Sequence, residues 1–300
     1  MQPTIGLAPT PRNPLCPWFF TPQGPDFQLE MAARITSHQN FVNQTEVKRL
    51  LPSSGRRRRL APARSPNSGL TMGTVISVCN LKGGAGKSTI AVNLTCAIHN
   101  LTGERCTLVD ADRQGTSDSW AAKGKLPVRV VKKVLQEAKP EERYPGMLWM
   151  VQVKELADKG GILVIDLPPG LAYSLAAVTT VSDLLLVPVN PSGVDFHSTA
   201  CFIELIHKSR KLRGNDKPRC VIVPNRVDGR TTIARELFRY EVFGEKVSPP
   251  IHMRTAFAKA FDTGQWVGNF APGSAAHREI ETLAELVASG HSAVRKPSGF

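Results

Sequence analysis

The sequence predicts an α/β fold, a doubly wound and mostly parallel sheet flanked by helices. Three observations predict it. Short apolar runs alternate with helix-length segments from residue 72 onward. Those runs are apolar almost without a break, as expected of strands covered on both faces. A glycine-rich turn joins the first run to the first helix, where this architecture places a ligand loop.

In chain order, residues 75–79 (VISVC) form the first expected strand. Residues 88–100 follow as a helix, because Ile90, Leu94, Ala97 and Ile98 recur at inward-facing spacing. Residues 107–110, 162–166, 184–189 and 220–224 read as further strands, and 151–159, 195–212, 231–243 and 275–289 as helices. No internal repeat is visible, so residues 72–292 read as one domain with a flexible tail over 293–300.

Residues 1–71 have a different character. Prolines recur (Pro3, Pro9, Pro11, Pro14, Pro17, Pro22, Pro25), no apolar period persists, and nine Lys and Arg stand against three Asp and Glu. Such a segment buries too little apolar surface to offset its ordering entropy, and a disordered basic extension is expected. Its acid-poor composition with a run from Arg56 to Arg59 fits an organelle transit peptide or a DNA-binding arm. A third reading makes Met72 the true start, since a compact domain needs nothing before Gly73.

Composition narrows the function classes. With 41% hydrophobic residues in 300, a sizeable core can be buried. No run approaches the roughly 18 apolar residues that span a bilayer, and the N-terminus has no apolar secretory core, so a cytoplasmic protein is expected. Cys16, Cys79, Cys96, Cys106, Cys201 and Cys220 are scattered, without a CxxC pair or a nearby His. That argues against zinc and against a disulfide framework, and for buried free thiols. The formal charge of +13 predicts a polyanionic partner, nucleic acid or an anionic membrane surface. Residues 72–300 are basic in their own right, with twenty-nine Lys and Arg against twenty-two Asp and Glu.

The run Leu81-Lys82-Gly83-Gly84-Ala85-Gly86-Lys87-Ser88-Thr89 lies between an expected strand and helix, as a phosphate-binding loop requires. Glycines let backbone N–H groups converge on phosphate oxygens, and a helix N-terminus adds about half a positive charge. In this motif Lys87 would reach the β- and γ-phosphates, and the Ser88 hydroxyl would ligate Mg²⁺. The usual GxxxxGK[ST] spacing wants glycine at 81, where leucine stands, with lysine at 82. A second lysine at the loop entrance is not needed to neutralise phosphates in its own subunit.

KGGAGKST resembles the deviant Walker A box of the ParA/MinD superfamily of P-loop ATPases. The likeness continues through Val109-Asp110-Ala111-Asp112-Arg113-Gln114-Gly115, with Arg113 where the family has proline, and through Val164-Ile165-Asp166-Leu167-Pro168-Pro169, similar to its Walker B strand. The stretches from Val181-Ser182-Asp183 to Asp195-Phe196, and around Arg254, Ala258-Lys259-Ala260 and Gly264, are similar to short plasmid-partition ParA proteins, ParF among them. The resemblance covers about residues 72–290.

It implies an ATP-dependent sandwich homodimer in which the lysine matching Lys82 crosses to the partner's nucleotide. The carboxylate matching Asp112 would orient the attacking water, and those matching Asp110 and Asp166 would lie near Mg²⁺. A cation supplied in trans makes hydrolysis depend on dimerisation, which suits phosphoryl transfer. An Asp at a strand end can equally cap a turn. Asn225 matches the position that reads the adenine edge, and its amide has the paired donor and acceptor to do so; a turn-forming Asn before Asp228-Gly229 is the rival reading.

Lys208, Arg210, Lys211, Arg213, Lys217 and Arg219 cluster from the end of one helix into the next strand, and Arg235 and Arg239 could extend the patch. They read either as a non-specific DNA surface, where phosphate contacts dominate, or as cations on a helix C-terminus and a solvated face. No DNA-reading module precedes the loop, so the resemblance implies a separate centromere-binding adaptor and a nucleoid-associated ATPase segregating plasmid or chromosome DNA. A MinD-like positioning ATPase would need a basic amphipathic helix at one terminus. The last expected helix instead carries Glu279, Glu281 and Glu285, so no membrane partner is expected. A DNA-binding relative that keeps the loop without turnover is the alternative from another class.

Overall fold

The computed structural model describes residues 73–136, 146–170, 174–228 and 244–289. They hold eight strands and eight helices, alternating as far as β6: β1 (Val75–Val78), α1 (Lys87–Thr102), β2 (Cys106–Asp110), α2 (Thr116–Ala121), β3 (Arg129–Lys132), α3 (Met147–Asp158), β4 (Ile162–Asp166), α4 (Leu175–Val181), β5 (Leu184–Val189), α5 (Gly193–Arg213), β6 (Arg219–Val227), β7 (Lys246–Val247), β8 (Ile251–His252), α6 (Thr255–Thr263), α7 (Val267–Phe270) and α8 (Ala275–Ala288).

Successive strand residues point to opposite faces, and in this sheet both faces are apolar. Ile76, Val78, Leu108, Val164, Leu184, Leu186, Val221 and Val223 face one layer, which holds Ile90 and Leu94 of α1 and Ile280 and Leu283 of α8. Val75, Val109, Leu163, Ile165, Leu185, Val187 and Ile222 face the other, with Trp149 and Val153 of α3, Leu175 of α4, and Phe202 and Ile206 of α5. The result is a three-layer sandwich, the doubly wound sheet the sequence predicts.

The strand order is β3-β2-β4-β1-β5-β6-β7, with β8 pairing β6 off this path, and every pairing is parallel. The connection from β1 runs past β4 to β2, while that from β4 runs past β1 to β5, so the connections of these neighbouring strands leave in opposite directions. A crevice therefore opens above the C-terminal end of β1, the place where such sheets take ligands. The register sets Asp110 of β2 directly beside Asp166 of β4.

Several elements escape the sequence reading. The edge strand β3 is only partly buried, and α2 and α4 are too short to show a helical period. Helix α3 starts four residues earlier than expected, at Met147, after Gly146 turns the chain with φ 75°. Strand β6 runs on to Val227, because a bulge between Asn225 and Val227 carries its pairing over to β8. Cys79, Cys96, Cys106 and Cys220 are free and buried. Cys201 is not among these free thiols. The extension over 1–71, the helix expected over 231–243 and the tail over 293–300 lie outside the described residues. No helix among the described residues is long and apolar enough to cross a membrane. Helix α8 buries Ile280, Leu283 and Val287 in the core rather than presenting a lipid-facing stripe.

Candidate nucleotide-binding site

The loop between β1 and α1 is built from its two ends inward. At the entrance, buried Asn80 donates from Nδ2 to the Pro188 carbonyl on β5 (2.6 Å) and accepts the Lys82 N–H at Oδ1 (3.0 Å). At the exit, Gly86 takes φ 90° as the residue before α1, whose first turn has no side-chain cap. Its orphan N–H groups are therefore left for an anion. A Cβ on Gly86 would lie 2.1 Å from the Asn225 amide nitrogen, so glycine is required there by space as well as by backbone angle. Gly83 and Gly84 form the exposed crown of the loop, where a Cβ would meet nothing within 4 Å. Ala85 is buried beneath it, and Thr89 follows Ser88 in the first turn of α1.

Lys87 folds under the loop, nearly buried, and donates from Nζ to the Lys82 carbonyl (3.1 Å). Burial lowers its pKa, and the charge of Asp166 opposes that shift. Lys82 points elsewhere: its ammonium forms an ion pair with Asp195 in the first turn of α5. Asn225, buried at 4% exposure, donates from Nδ2 to the Ala85 carbonyl (2.7 Å). The structure thus brings Asn225 against the phosphate loop, where it braces Ala85 and Gly86.

The three aspartates converge on the same edge. Asp110 is fully buried; its Oδ1 accepts the Asp112 N–H (3.1 Å) and its Oδ2 the Asp118 N–H (2.7 Å). Burial raises its pKa, against the pull of those backbone N–H groups. Asp112 is half-buried and accepts the Gln114 N–H (2.9 Å), and its charge reaches Lys87. Asp166 accepts the Ser117 hydroxyl at Oδ2 (2.7 Å), while its buried Oδ1 has no hydrogen-bond partner. Burial pushes its pKa up to about 7, with Ser117, Ser88 and Lys87 pulling the other way.

An unpartnered buried carboxylate oxygen beside a serine hydroxyl and a second carboxylate is a hard-oxygen donor set, which fits Mg²⁺. Among the described residues there is no group of three or more His, Cys, Asp and Glu that could hold a metal ion.

The family model for the CobQ/CobB/MinD/ParA nucleotide-binding domain matches residues 76–267. The chain belongs to this family. Among its relatives, the "Maintenance of carboxysome distribution protein A" of Gloeobacter kilaueensis is 36% identical over 138 residues, covering 45% of this chain and 56% of that protein. The protein of the same name from Halothiobacillus neapolitanus is 31% identical over 164 residues, covering 54% of this chain and 70% of the relative. This chain thus matches little more than half the length of the first. Among solved structures, an ATP complex of a Cyanothece McdA variant aligns with a TM-score of 0.56 at 15% identity, over 72% of this chain and 95% of that one; at that identity the likeness shows the fold alone.

The basic cluster lies at the opposite edge of the sheet, where α5 ends and β6 begins. It is partly neutralised. Arg210 pairs with the buried Glu245 carboxylate and donates from Nε to the Pro218 carbonyl (2.8 Å), while Lys217 pairs with Asp183 (2.8 Å). Arg210 is a packing cation and leaves the candidate DNA surface, because a buried carboxylate holds its guanidinium. Lys208, Lys211 and Arg219 are exposed. Arg235, Arg239 and the side chain of Arg213 lie outside the described residues.

Asn80, Ser117 and Asp195 had no assigned role in the sequence. Asp195 stood within a quoted stretch of resemblance, and Asn80 directly precedes the loop, but neither position reveals its partner. Ser117 carried no signal at all.

Proposed function

We propose that the chain is a Mg²⁺-dependent ATPase that dimerises on ATP and positions or partitions a cargo, with non-specific DNA as its track and a small adaptor protein as its stimulator. One observation carries this reading: the two loop lysines face different ways. Lys87 closes under the loop, where phosphates would lie. Lys82 turns away from the loop to a pair with Asp195 and stays 40% exposed, so a second subunit's phosphates could draw it off. A cation given in trans makes turnover depend on dimerisation.

In this scheme backbone N–H groups of residues 83–88 and Lys87 hold the phosphates, and Asn225 is the residue beside the base. Asp112 accepts a hydrogen bond from the attacking water and sets its line toward the γ-phosphorus. Magnesium, held by Ser88 and faced by Asp110 and Asp166, would neutralise charge on the phosphate oxygens.

The test is sedimentation of the Asp112→Ala chain with ATP, ADP or no nucleotide, followed by binding to random-sequence duplex DNA across a salt series. An ATP-specific dimer whose DNA affinity falls steeply with salt is expected, at roughly 0.9 log units per phosphate contact for each log unit of salt. A monomer under every nucleotide would remove the dimer, and no DNA binding would remove the track.

A second reading concerns cargo. The two relatives described above are carboxysome distribution proteins, which favours a protein body over a plasmid centromere as what this chain moves. Affinity capture by the ATP-bound dimer separates the two: a shell-associated adaptor supports the first, and a centromere-binding protein the second.

A further inference from the structure

Asp112 sits on a loop closed at both ends upon one residue. At its start the Ala111 N–H donates to the Asp166 carbonyl (2.9 Å). At its end the Ser117 hydroxyl donates to the Asp166 carboxylate (2.7 Å). Ser117 has no exposed surface, so water cannot replace that bond. The turn between is fixed from within: the Gly115 N–H reaches the Asp112 carbonyl (3.1 Å), and Lys132 Nζ on β3 lies 2.6 Å from where a Gly115 Cβ would be.

Asp110 holds the loop from β2 through the backbone N–H groups of Asp112 and Asp118. Those contacts reach only main chain of the loop and do not involve the Asp166 carboxylate. Among the described contacts, the Ser117 hydroxyl is the one side-chain link from this loop to the Asp166 carboxylate.

We propose that Ser117 is a positioning residue, which sets the place of Asp112 by tying its loop to Asp166. The assignment rests on the reading of Asp112 as the water-orienting residue and Asp166 as metal-facing. Ser117 touches neither substrate nor water in this scheme; it acts through Asp166 and the loop. A serine that only satisfies a buried carboxylate would give the same hydrogen bond, and the two roles differ in what its loss does to Asp112.

The experiment compares the full chain with Ser117→Ala and Ser117→Thr, the second keeping the hydroxyl. Four quantities are read: amide hydrogen exchange of residues 111–118 without nucleotide, kcat and KM for ATP, and Tm. Losing a hydrogen bond to a charged group is worth about tenfold or more, so exchange in 111–118 should rise and kcat fall by about that factor in Ser117→Ala. KM should stay near that of the parent chain while Tm falls by a few degrees, the cost of the lost buried bond, and Ser117→Thr should recover kcat and slow exchange.

Unchanged exchange in Ser117→Ala overturns the proposal, as does faster exchange with unchanged kcat. A rise in KM as large as the fall in kcat overturns it too, because it marks a general loss of the site's packing. Should the parent chain itself hydrolyse nothing, the ATPase reading fails separately. The exchange comparison then decides alone: acceleration confined to 111–118 supports Ser117, and none or a uniform one removes it.

Discussion

The ammonium of Lys82 is paired with the carboxylate of Asp195, which lies in the first turn of α5 within the same chain. Asp195 is almost buried at 5% side-chain exposure, and Lys82 is 40% exposed. The lysine is thus parked on a fixed carboxylate at the rim of the site and remains partly exposed. A half-exposed pair of this kind contributes about 1 kcal/mol or less, after solvent screening. It can hold Lys82 in the monomer and yield to a stronger anion.

If Lys82 is held back from a partner subunit by this pair, Asp195→Ala should strengthen ATP-dependent dimerisation by about twofold to fivefold, the equivalent of that weak pair. Equilibrium sedimentation with ATP reads it directly. Weaker association in the variant would mean that Asp195 serves the dimer rather than the monomer.

The two loop lysines should separate binding from turnover. Lys82→Ala is expected to keep its affinity for a fluorescent ATP analogue while losing turnover. Lys87→Ala is expected to lose affinity by about tenfold to a hundredfold, as for a charged hydrogen bond to phosphate. Full turnover in Lys82→Ala would take the in-trans lysine out of the mechanism.

Gly86→Ala should lower stability by about 1–3 kcal/mol, through a positive φ and a new Cβ against the Asn225 amide. The steric part should vanish in the Asn225→Ala background. A double-mutant cycle by denaturant titration measures it; equal costs in both backgrounds would leave backbone angle as the whole cause.

At the far end of β8, Glu279 of α8 accepts hydrogen bonds from the His252 N–H (3.1 Å), His252 Nδ1 (2.8 Å) and Arg254 Nε (3.0 Å). Burial alone would raise its pKa, but the Arg254 and His252 contacts outweigh it and hold the carboxyl below its ordinary value of 4.5. A depressed folded pKa contributes stability above the unfolded value, and that contribution is lost as pH falls through the folded one. Glu279→Gln should therefore cost about 1–2 kcal/mol near pH 7, with the gap from the parent chain closing below pH 4.5. A gap constant from pH 7 to pH 3 would show that the charge contributes nothing.

How far the site was legible follows from where its parts lie along the chain. Gly83 to Ser88 are contiguous, so their geometry is local: a strand, a glycine turn and a helix start define a phosphate cradle within a single loop. Asp110 and Asp166 were legible as strand-end carboxylates because apolar runs precede both. Edge strand β3 and the short α2 were not legible, since neither is long enough or buried enough to impose a period.

Burial pattern and glycine spacing act over a few neighbouring residues, and they suffice to specify the layered sheet, its phosphate loop and the second lysine at the loop entrance. What those groups meet is settled elsewhere, in the assembled fold. Lys82 reaches Asp195 across 113 positions, Asn225 braces Ala85 across 140, and Ser117 meets Asp166 across 49. Each of these pairs is made by strand order and register, which bring the ends of β1, β2, β4, β5 and β6 to one edge. No local pattern encodes that choice; it comes from packing helices on both faces of a parallel sheet.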